Sequence, residues 1–443
     1  MEPACLRYTE LPHTSRLFSD FLYHRNRVKR FYNFDHVSPY PEDRRPALIQ
    51  ALQAQNTNTS ALQILAQPGA VAMVTGQQVG LFSGPAYTIY KALTAAKLAR
   101  QANEDGKAAV PVFWLATEDH DFAEVNHAYA FNKNHETVTF RLDQVESIGQ
   151  PVGQIPVVTW PIEELRHTLQ DFPFAAEVMS LVEETYTPGA SMGEAFRKLI
   201  ERLLAPYGFL FIDPMHPATR ALAAPMLGSA LEIGPELNKL LLQRNRDLEA
   251  AGYHSQVHVD ERTSLFFLHE NGRRVPLRDL DYSQTELAGR AQDLSPNALL
   301  RPVVQDYMLP TAAYVGGPAE LAYFAQSQVL YERLLGRMPK LESRSGFTLL
   351  DVRSQKLMDR YGLRVPDFFQ GQAALSERLA AALVPASLEQ KFDDAAASTS
   401  QLLDRLHESV TGFDTTLGDA LLTSRRKILH QITKTRAKIA RKR

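Results

Sequence analysis

A single cysteine, Cys5, stands in 443 residues. That excludes an intrachain disulfide and any zinc site built on cysteine ligands. No apolar run reaches the roughly 18–20 residues that span a bilayer. The start, Met-Glu-Pro-Ala-Cys-Leu-Arg, has neither the basic stretch nor the apolar core of a signal peptide. A soluble, cytoplasmic protein is therefore expected. An excess of one charge is missing too: 48 Lys and Arg face 50 Asp and Glu, for a formal charge of −2. This predicts no general affinity for nucleic acid or membrane. Neither G-x-G-x-x-G nor a Walker A loop occurs, and no nucleophile elbow or Ser-His-Asp signature is visible. What remains is ordinary globular composition, with 44% hydrophobic and 22% charged residues. The length suggests about two or three domains.

The most informative stretch is Val71-Ala-Met-Val-Thr-Gly-Gln-Gln-Val-Gly-Leu-Phe-Ser-Gly-Pro-Ala-Tyr-Thr-Ile-Tyr-Lys91. Val71 to Val74 reads as a covered parallel strand. Gly76, Gly80 and Gly84 follow as a glycine-rich turn. Ser83 or Gly84 is expected to cap a helix, with Pro85 at its first position. Ala86, Ile89, Tyr90, Leu93 and Ala96 recur at helical spacing. A ligand of an open α/β sheet binds beyond the carboxyl end of such a strand, so this turn suggests an anion or nucleotide site.

Ala109 to Leu115 reads as the next parallel strand, with Pro111 near its start. Strand, helix and strand make a right-handed βαβ unit. Before it, residues 13–34, Arg45 to Gln55 and Ser60 to Gln67 read as helices. After it, residues 136–160 look β-rich and 162–204 mostly helical. Tyr207 to Asp213 is a third core strand. His254 to Val259 and Ser264 to His269 read as strands, and Asn271-Gly272 turns the second into Arg273–Leu277 as a hairpin. Ala312 to Val315 is a further strand, followed by a helix over Leu321 to Leu335. From Ser387 onward, Leu388, Phe392, Ala395, Thr399, Leu402 and Leu406 follow a coiled-coil spacing, which resumes from Phe413 to Ile439. The basic end, with Arg425, Arg426, Lys427, Lys434, Arg436, Lys438, Arg441, Lys442 and Arg443, reads as a solvated helix face. No cap, glycine or proline ends that helix.

The densest ionisable cluster is Glu118-Asp119-His120-Asp121, at a strand end. A helix beginning near Asp121 would put Glu124 and His127 on one face, with His120 beside Glu124. The cluster suits acid–base work or binding of a substrate amine better than a metal, and none is expected. Gln77 and Gln78 suit a hydroxyl-rich ligand. Tyr87 and Lys91 lie one helical turn apart near the glycine turn. His254 and His258 would share one strand face. Gln305 and Asp306 precede a strand. Gly316 and Gly317 open a second helix N-terminus suited to an anion, with Glu320 in its first turn.

Two long stretches, Thr75 to Lys91 and Pro111-Val-Phe-Trp-Leu-Ala-Thr-Glu-Asp-His-Asp-Phe-Ala-Glu-Val-Asn-His127, resemble the BshC family, the cysteine-adding enzymes of bacillithiol biosynthesis. Gln256–Val259, Asn271–Arg273 and Leu309–Tyr323 support the likeness. Met338-Pro339, Arg344-Ser345 and Phe347–Leu349 match more loosely, and bring in Arg344. The resemblance implies an α/β fold: a Rossmann-like parallel-sheet core with connecting-peptide insertions, related to class I aminoacyl-tRNA synthetases, plus an α-helical coiled-coil domain that makes a homodimer. The expected division is a helical segment over 1–68, a catalytic core over 69–385 and a coiled coil over 386–443, incomplete at its C-terminus. The implied reaction is a ligase step joining cysteine to the amine of glucosaminyl malate. Its implied catalytic residues are Glu118, Asp119, His120 and Asp121. The other candidates, including Gly84, would contact sugar, malate or nucleotide. ATP with magnesium enters by analogy with the synthetases, although residues 76–91 contain no histidine and no Lys-Met-Ser-Lys-Ser loop appears. The competing reading is a non-catalytic nucleotide- or metabolite-binding module with a coiled-coil interaction domain.

Overall fold

The computed structural model describes residues 5–32, 39–143, 149–279, 282–383 and 386–441. They fall into two compact units, one over Thr14–Phe347 and one combining the N-terminal segment to His13 with Thr348 onward. None of the described helices is long and apolar enough to cross a membrane.

The strands of the first unit are β1 (Val71–Gln78), β2 (Ala109–Ala116), β3 (His127–Phe131), β4 (Thr137–Arg141), β5 (Leu210–Ile212), β6 (Phe266–Glu270), β7 (Arg273–Pro276), β8 (Leu294–Pro296), β9 (Thr311–Gly316) and β10 (Lys340–Ser343). Five make a parallel sheet in the order β10-β9-β1-β2-β5. β1 and β2 are its centre, which explains their near-continuous apolar runs: both faces are covered. Met73, Phe113 and Leu115 pack under the helix Met192–Leu204, whose Phe196, Leu199 and Ile200 are buried. Ser191 and Glu194 start that helix with a reciprocal capping box.

Several local expectations are revised. β1 runs through Gly76 to Gln78, because a Cβ at Gly76 would press on Trp114 across the strand pair, where only glycine fits. The following helix starts at Tyr87, not Pro85, and neither Ser83 nor Gly84 caps it. Phe82, Ser83 and Gly84 all have positive φ, so the chain turns sharply before the helix begins. The helix near Asp121 is a single turn, Phe122–Val125, and His127 opens β3 instead of extending it. Residues 136–160 hold β4 as their one strand among the described residues, besides a 3-10 turn at Val152–Gln154 and a single bridge at Pro156; 144–148 lie outside them. His254 to Val259 is an irregular segment, so His254 and His258 share no strand face. The helical stretch from 13 breaks at His24, and residues 33–34 lie outside the described residues. The Asn271-Gly272 hairpin forms as expected, with φ of +50° and +73°.

The second unit is helical. Ala386–Phe413 and Thr415–Arg441 fold back on each other about Asp414, whose carboxylate accepts the Thr416 N–H at 2.7 Å. Arg425 pairs with Asp404 at 2.9 Å and Arg436 with Asp393 at 3.2 Å, which sets the two helices antiparallel. Two of the basic residues thus have acidic partners across the hairpin. The side chains of Lys438, Ile439, Arg441, Lys442 and Arg443 lie outside the described set.

Candidate active site

A cavity of about 780 Å³ opens beyond the carboxyl ends of β9, β1 and β2. Parallel strands deliver their C-terminal loops to one edge, and there Gln77 and Gln78, Glu118 to His120, and Gly317 to Glu320 converge. Arg344 follows β10. The β6–β7 hairpin adds Phe267 and Arg274 as one wall. Trp114, 2% exposed, is the floor.

One end of the cavity is acidic. The loop after β2 is pinned from behind, where Gly153 N–H donates to Thr117 O at 2.9 Å and Val152 N–H to Asp119 O at 2.6 Å. A Cβ at Gly153 would collide with the Thr117 side chain, so the close approach needs glycine. Asp119 accepts from Gln78 Nε2 at 2.6 Å and from the His120 N–H at 2.8 Å. Burial works against its ionised form, but the Gln78 bond and Arg274 prevail and hold its carboxyl below the usual range. His120 Nδ1 lies 3.1 Å from Arg274 Nη1. Arginine only donates, so Nδ1 accepts and the neutral ring carries its proton on Nε2. Burial and then Arg274 lower the His120 pKa, which favours that neutral form. Arg274 itself is fixed on three sides. Its Nε donates to Ser295 Oγ at 2.9 Å, its Nη2 to Pro296 O at 2.7 Å, and its guanidinium sits 3.9 Å from the centre of the Phe267 ring. Ser295 passes its proton on to Glu118 Oε2 at 2.8 Å. Burial raises the pKa of Glu118, and Arg274 only partly offsets that.

The other end is cationic. Lys91, 2% exposed, bonds Gly76 O and lies 2.8 Å from Glu320 Oε2. Burial lowers its pKa, and Glu320 opposes the shift. Glu320 also accepts from Tyr314 Oη at 2.7 Å and from Gly317 N–H at 2.8 Å. Burial would raise its pKa; Lys91 and these bonds bring it below the usual value. Arg301 donates to Tyr323 Oη at 2.9 Å, and Arg344 lies over the Tyr87 ring at 4.9 Å.

Of the residues singled out from sequence, Gln77, Gln78, Tyr87, Lys91, Glu118, Asp119, His120, Gly317, Glu320 and Arg344 line this cavity. The others sit elsewhere. Glu124 reaches the site only through Gln78, which donates to it at 2.7 Å. His127 bonds Asn126 at 3.2 Å and meets Tyr129 edge-on, and Asp121 is exposed off the wall. His258 is 88% exposed at its side chain. Asp306 is fully buried, accepting from Thr311 at 2.6 Å and from Tyr331. Gln305 supports Arg301 from behind at 3.2 Å. Gly84 and Gly316 lie off the wall, Gly316 O accepting the Arg344 N–H at 2.9 Å. Sequence reading passed over Trp114, Arg274, Arg301, Tyr314 and Tyr323 as site residues. Two of these tyrosines stand inside a stretch already noticed, Leu309–Tyr323. Nothing near Arg274 in the sequence distinguishes it from Arg273; only the hairpin register turns one inward.

One of the amides a phosphate would use at these helix N-termini is already taken. The Tyr87 helix starts after the turn, and at the helix Pro318–Leu335 the Glu320 carboxylate already takes the Gly317 N–H. Among the described residues, no three His, Cys, Asp or Glu side chains are placed to hold a metal ion.

A parallel sheet with a cavity at its carboxyl edge, joined to a helical hairpin unit, defines a Rossmann-like protein with a coiled-coil domain. Two family models match it: the N-terminal Rossmann-like domain of bacillithiol biosynthesis BshC over residues 1–345, and the BshC C-terminal coiled-coil domain over 347–443. The "Putative cysteine ligase BshC" of Solibacter usitatus is 51% identical over 100% of this chain and 88% of its own length. The protein of that name in Koribacter versatilis is 34% identical over the same shares, and that in Salinibacter ruber 32% over 86% of this chain and 73% of its own. The chain belongs to the BshC family, which places it in bacillithiol biosynthesis; the relatives' shared name supports a ligase.

Proposed function

We propose that the cavity forms an amide bond between the carboxyl group of cysteine and the amine of glucosaminyl malate, the last step of bacillithiol assembly. The carrying observation is the paired carboxylates of opposite character at one strand end. Asp119 is held ionised and suits an ammonium group. Burial pushes the Glu118 carboxyl up from its ordinary value, so its carboxylate is a stronger base than an exposed one, as suits a general base. In the proposed step the substrate ammonium docks on Asp119 and gives a proton to Glu118. The freed lone pair attacks the cysteine acyl carbon, the C–N bond forms, and the acyl leaving group departs with its electron pair and the second proton of the attacking nitrogen. His120 presents Nε2–H as a donor to the developing oxyanion. Asp121 acts through His120, as a positioning residue. Gln77, Gln78 and Tyr87 contact the sugar.

A free carboxylate is a poor acyl donor, so activation has to be supplied, and ATP with magnesium is the donor to test first. The exposed Leu402, Leu406, Phe413, Leu417 and Ile428 of the helical hairpin support a homodimer through this unit.

The experiment is mass spectrometry of purified protein incubated with cysteine and glucosaminyl malate, with and without ATP–magnesium. A new amide product is expected. Nucleotide or metabolite binding with no product under either condition would overturn the ligase reading in favour of a binding module.

A further inference from the structure

The cations that line the cavity differ in what neutralises them. Lys91 has Glu320 at 2.8 Å, and Arg274 has Asp119 at 3.8 Å with Glu118 bridged through Ser295. Arg301 has no carboxylate within ion-pair distance among the described residues. Its two hydrogen bonds go to neutral acceptors, Gln305 Oε1 at 3.2 Å and Tyr323 Oη at 2.9 Å. These use two of five guanidinium donors. No Arg301 nitrogen is both sealed in protein and unpartnered, so its remaining donors open on the cavity it lines.

Its backbone is held as firmly as its head group. Arg301 is the first residue of the helix Arg301–Met308, with Pro302 next. Its N–H donates to Asn297 O at 2.9 Å, and Leu299 and Leu300 N–H both donate to Asn297 Oδ1 at 3.0 Å. A guanidinium fixed at both ends and facing a cavity, with Glu320 acting on it only from beyond ion-pair distance, has donors left for a direct anionic partner. Lys91 bonds β1 at Gly76 and pairs with Glu320 after β9, Arg344 follows β10, and Arg301 joins this group through Tyr323 on the Glu320 helix, whereas Glu118 and Asp119 follow β2. A ligand bearing an amine at one end and anionic oxygens at the other would be oriented by this polarity alone.

We propose that Arg301 is a specificity-determining residue that binds a carboxylate of the amine substrate, setting the dicarboxylate arm over β9 while its amine lies against Asp119. The proposal rests on the ligase reading for the identity of the substrate. Binding of the arm by itself tests it without turnover.

The probe is L-malate, titrated by calorimetry into the full chain and into Arg301→Met and Arg301→Lys, with inorganic phosphate and ATP as parallel ligands. The expected result is a malate Kd weakened about ten- to a hundred-fold in Arg301→Met, and less in Arg301→Lys, which keeps the charge but loses the fork. Phosphate and ATP affinities should be unchanged, and KM for glucosaminyl malate should rise with little change in kcat. Circular dichroism and the melting temperature of each variant establish that it is folded; Arg301→Lys serves if Arg301→Met is not. Malate binding unchanged in the folded variant would overturn the proposal. So would a loss confined to phosphate or ATP, which would make the anion a phosphoryl group. Failure of the ligase reading shows separately, as no amide product while malate still binds through Arg301.

Discussion

The two ends of the cavity are built on the same plan and reach opposite electrostatic states. At each, a buried carboxylate faces a buried cation. Over β9 the pair is close and direct: Lys91 lies 2.8 Å from Glu320, and the acid stays ionised. After β2 the pair is indirect. Arg274 reaches Glu118 only through Ser295, and Glu118 is left toward the protonated state. Burial penalises both carboxylates alike; the distance to the compensating charge decides which one ionises. The first arrangement leaves an ionised carboxylate, and the second a carboxyl pushed toward its protonated form. Sequence neighbours split in the same way, because Asp119 has the Gln78 bond that Glu118 lacks.

Replacing the proposed base should have the largest effect. Glu118→Gln is expected to lower kcat about 100- to 10,000-fold with a small change in KM, measured by initial rates of amide formation. A kcat within tenfold of wild type would remove Glu118 as the base.

Breaking the direct pair should cost stability instead. Lys91→Met strands Glu320 in a largely buried position, at about 3 kcal/mol by urea unfolding. The double variant with Glu320→Gln should recover much of that loss. If the single and double variants unfold alike, the pair is not coupled.

Next in size is the support behind the acidic loop. Gly153→Ala forces the Thr117 side chain away, with an expected loss of about 1–3 kcal/mol and a weaker hold on Asp119. The readout is the unfolding midpoint together with KM for the amine substrate.

The two neighbouring acids should also give opposite stability changes with pH. Glu118 has a raised folded pKa, so its penalty is absent below the ordinary carboxylate value near roughly 4 and grows as pH rises through the folded pKa. Glu118→Gln should therefore stabilise the protein more at pH 7 than at pH 4. Asp119 has a lowered folded pKa; its contribution is full above the ordinary value and disappears as pH falls through the folded one. Asp119→Asn should destabilise at pH 7, and by less as pH falls below the ordinary carboxylate value. Urea midpoints of both variants across that range would show parallel slopes if the contrast were false. The smallest effect is expected at His258, exposed and off the wall, where Ala should change stability by less than about 0.5 kcal/mol.

Much of the fold was legible because its signals are local. The apolar runs of β1 and β2, the Asn271-Gly272 hairpin and the spacing of the last two helices each depend on a few adjacent residues. The polar loop at 118–120, which the structure places on the cavity wall, was legible for the same reason. Arg274 and Arg301 were not. Their roles depend on which way a hairpin faces and on which helix brings Gln305 and Tyr323 alongside, and neither is encoded near the residue itself. Conversely, Gln305 and Asp306 stood out in sequence as polar groups beside a strand. The structure shows Asp306 meeting Thr311 and Tyr331 in the core, since a buried polar group needs partners wherever it lies.

By itself the sequence determined the family, the parallel-sheet core, the helical second unit and the placing of Gln77, Gln78 and Glu118 to His120 at one sheet edge. Those follow from periodicity and from long, uncommon motifs. Only the tertiary structure decided which charges are neutralised. Lys91 meets Glu320 across 229 positions of chain, and His120 meets Arg274 across 154. Such pairings set protonation states through distance and burial, and both quantities exist only once the chain has folded.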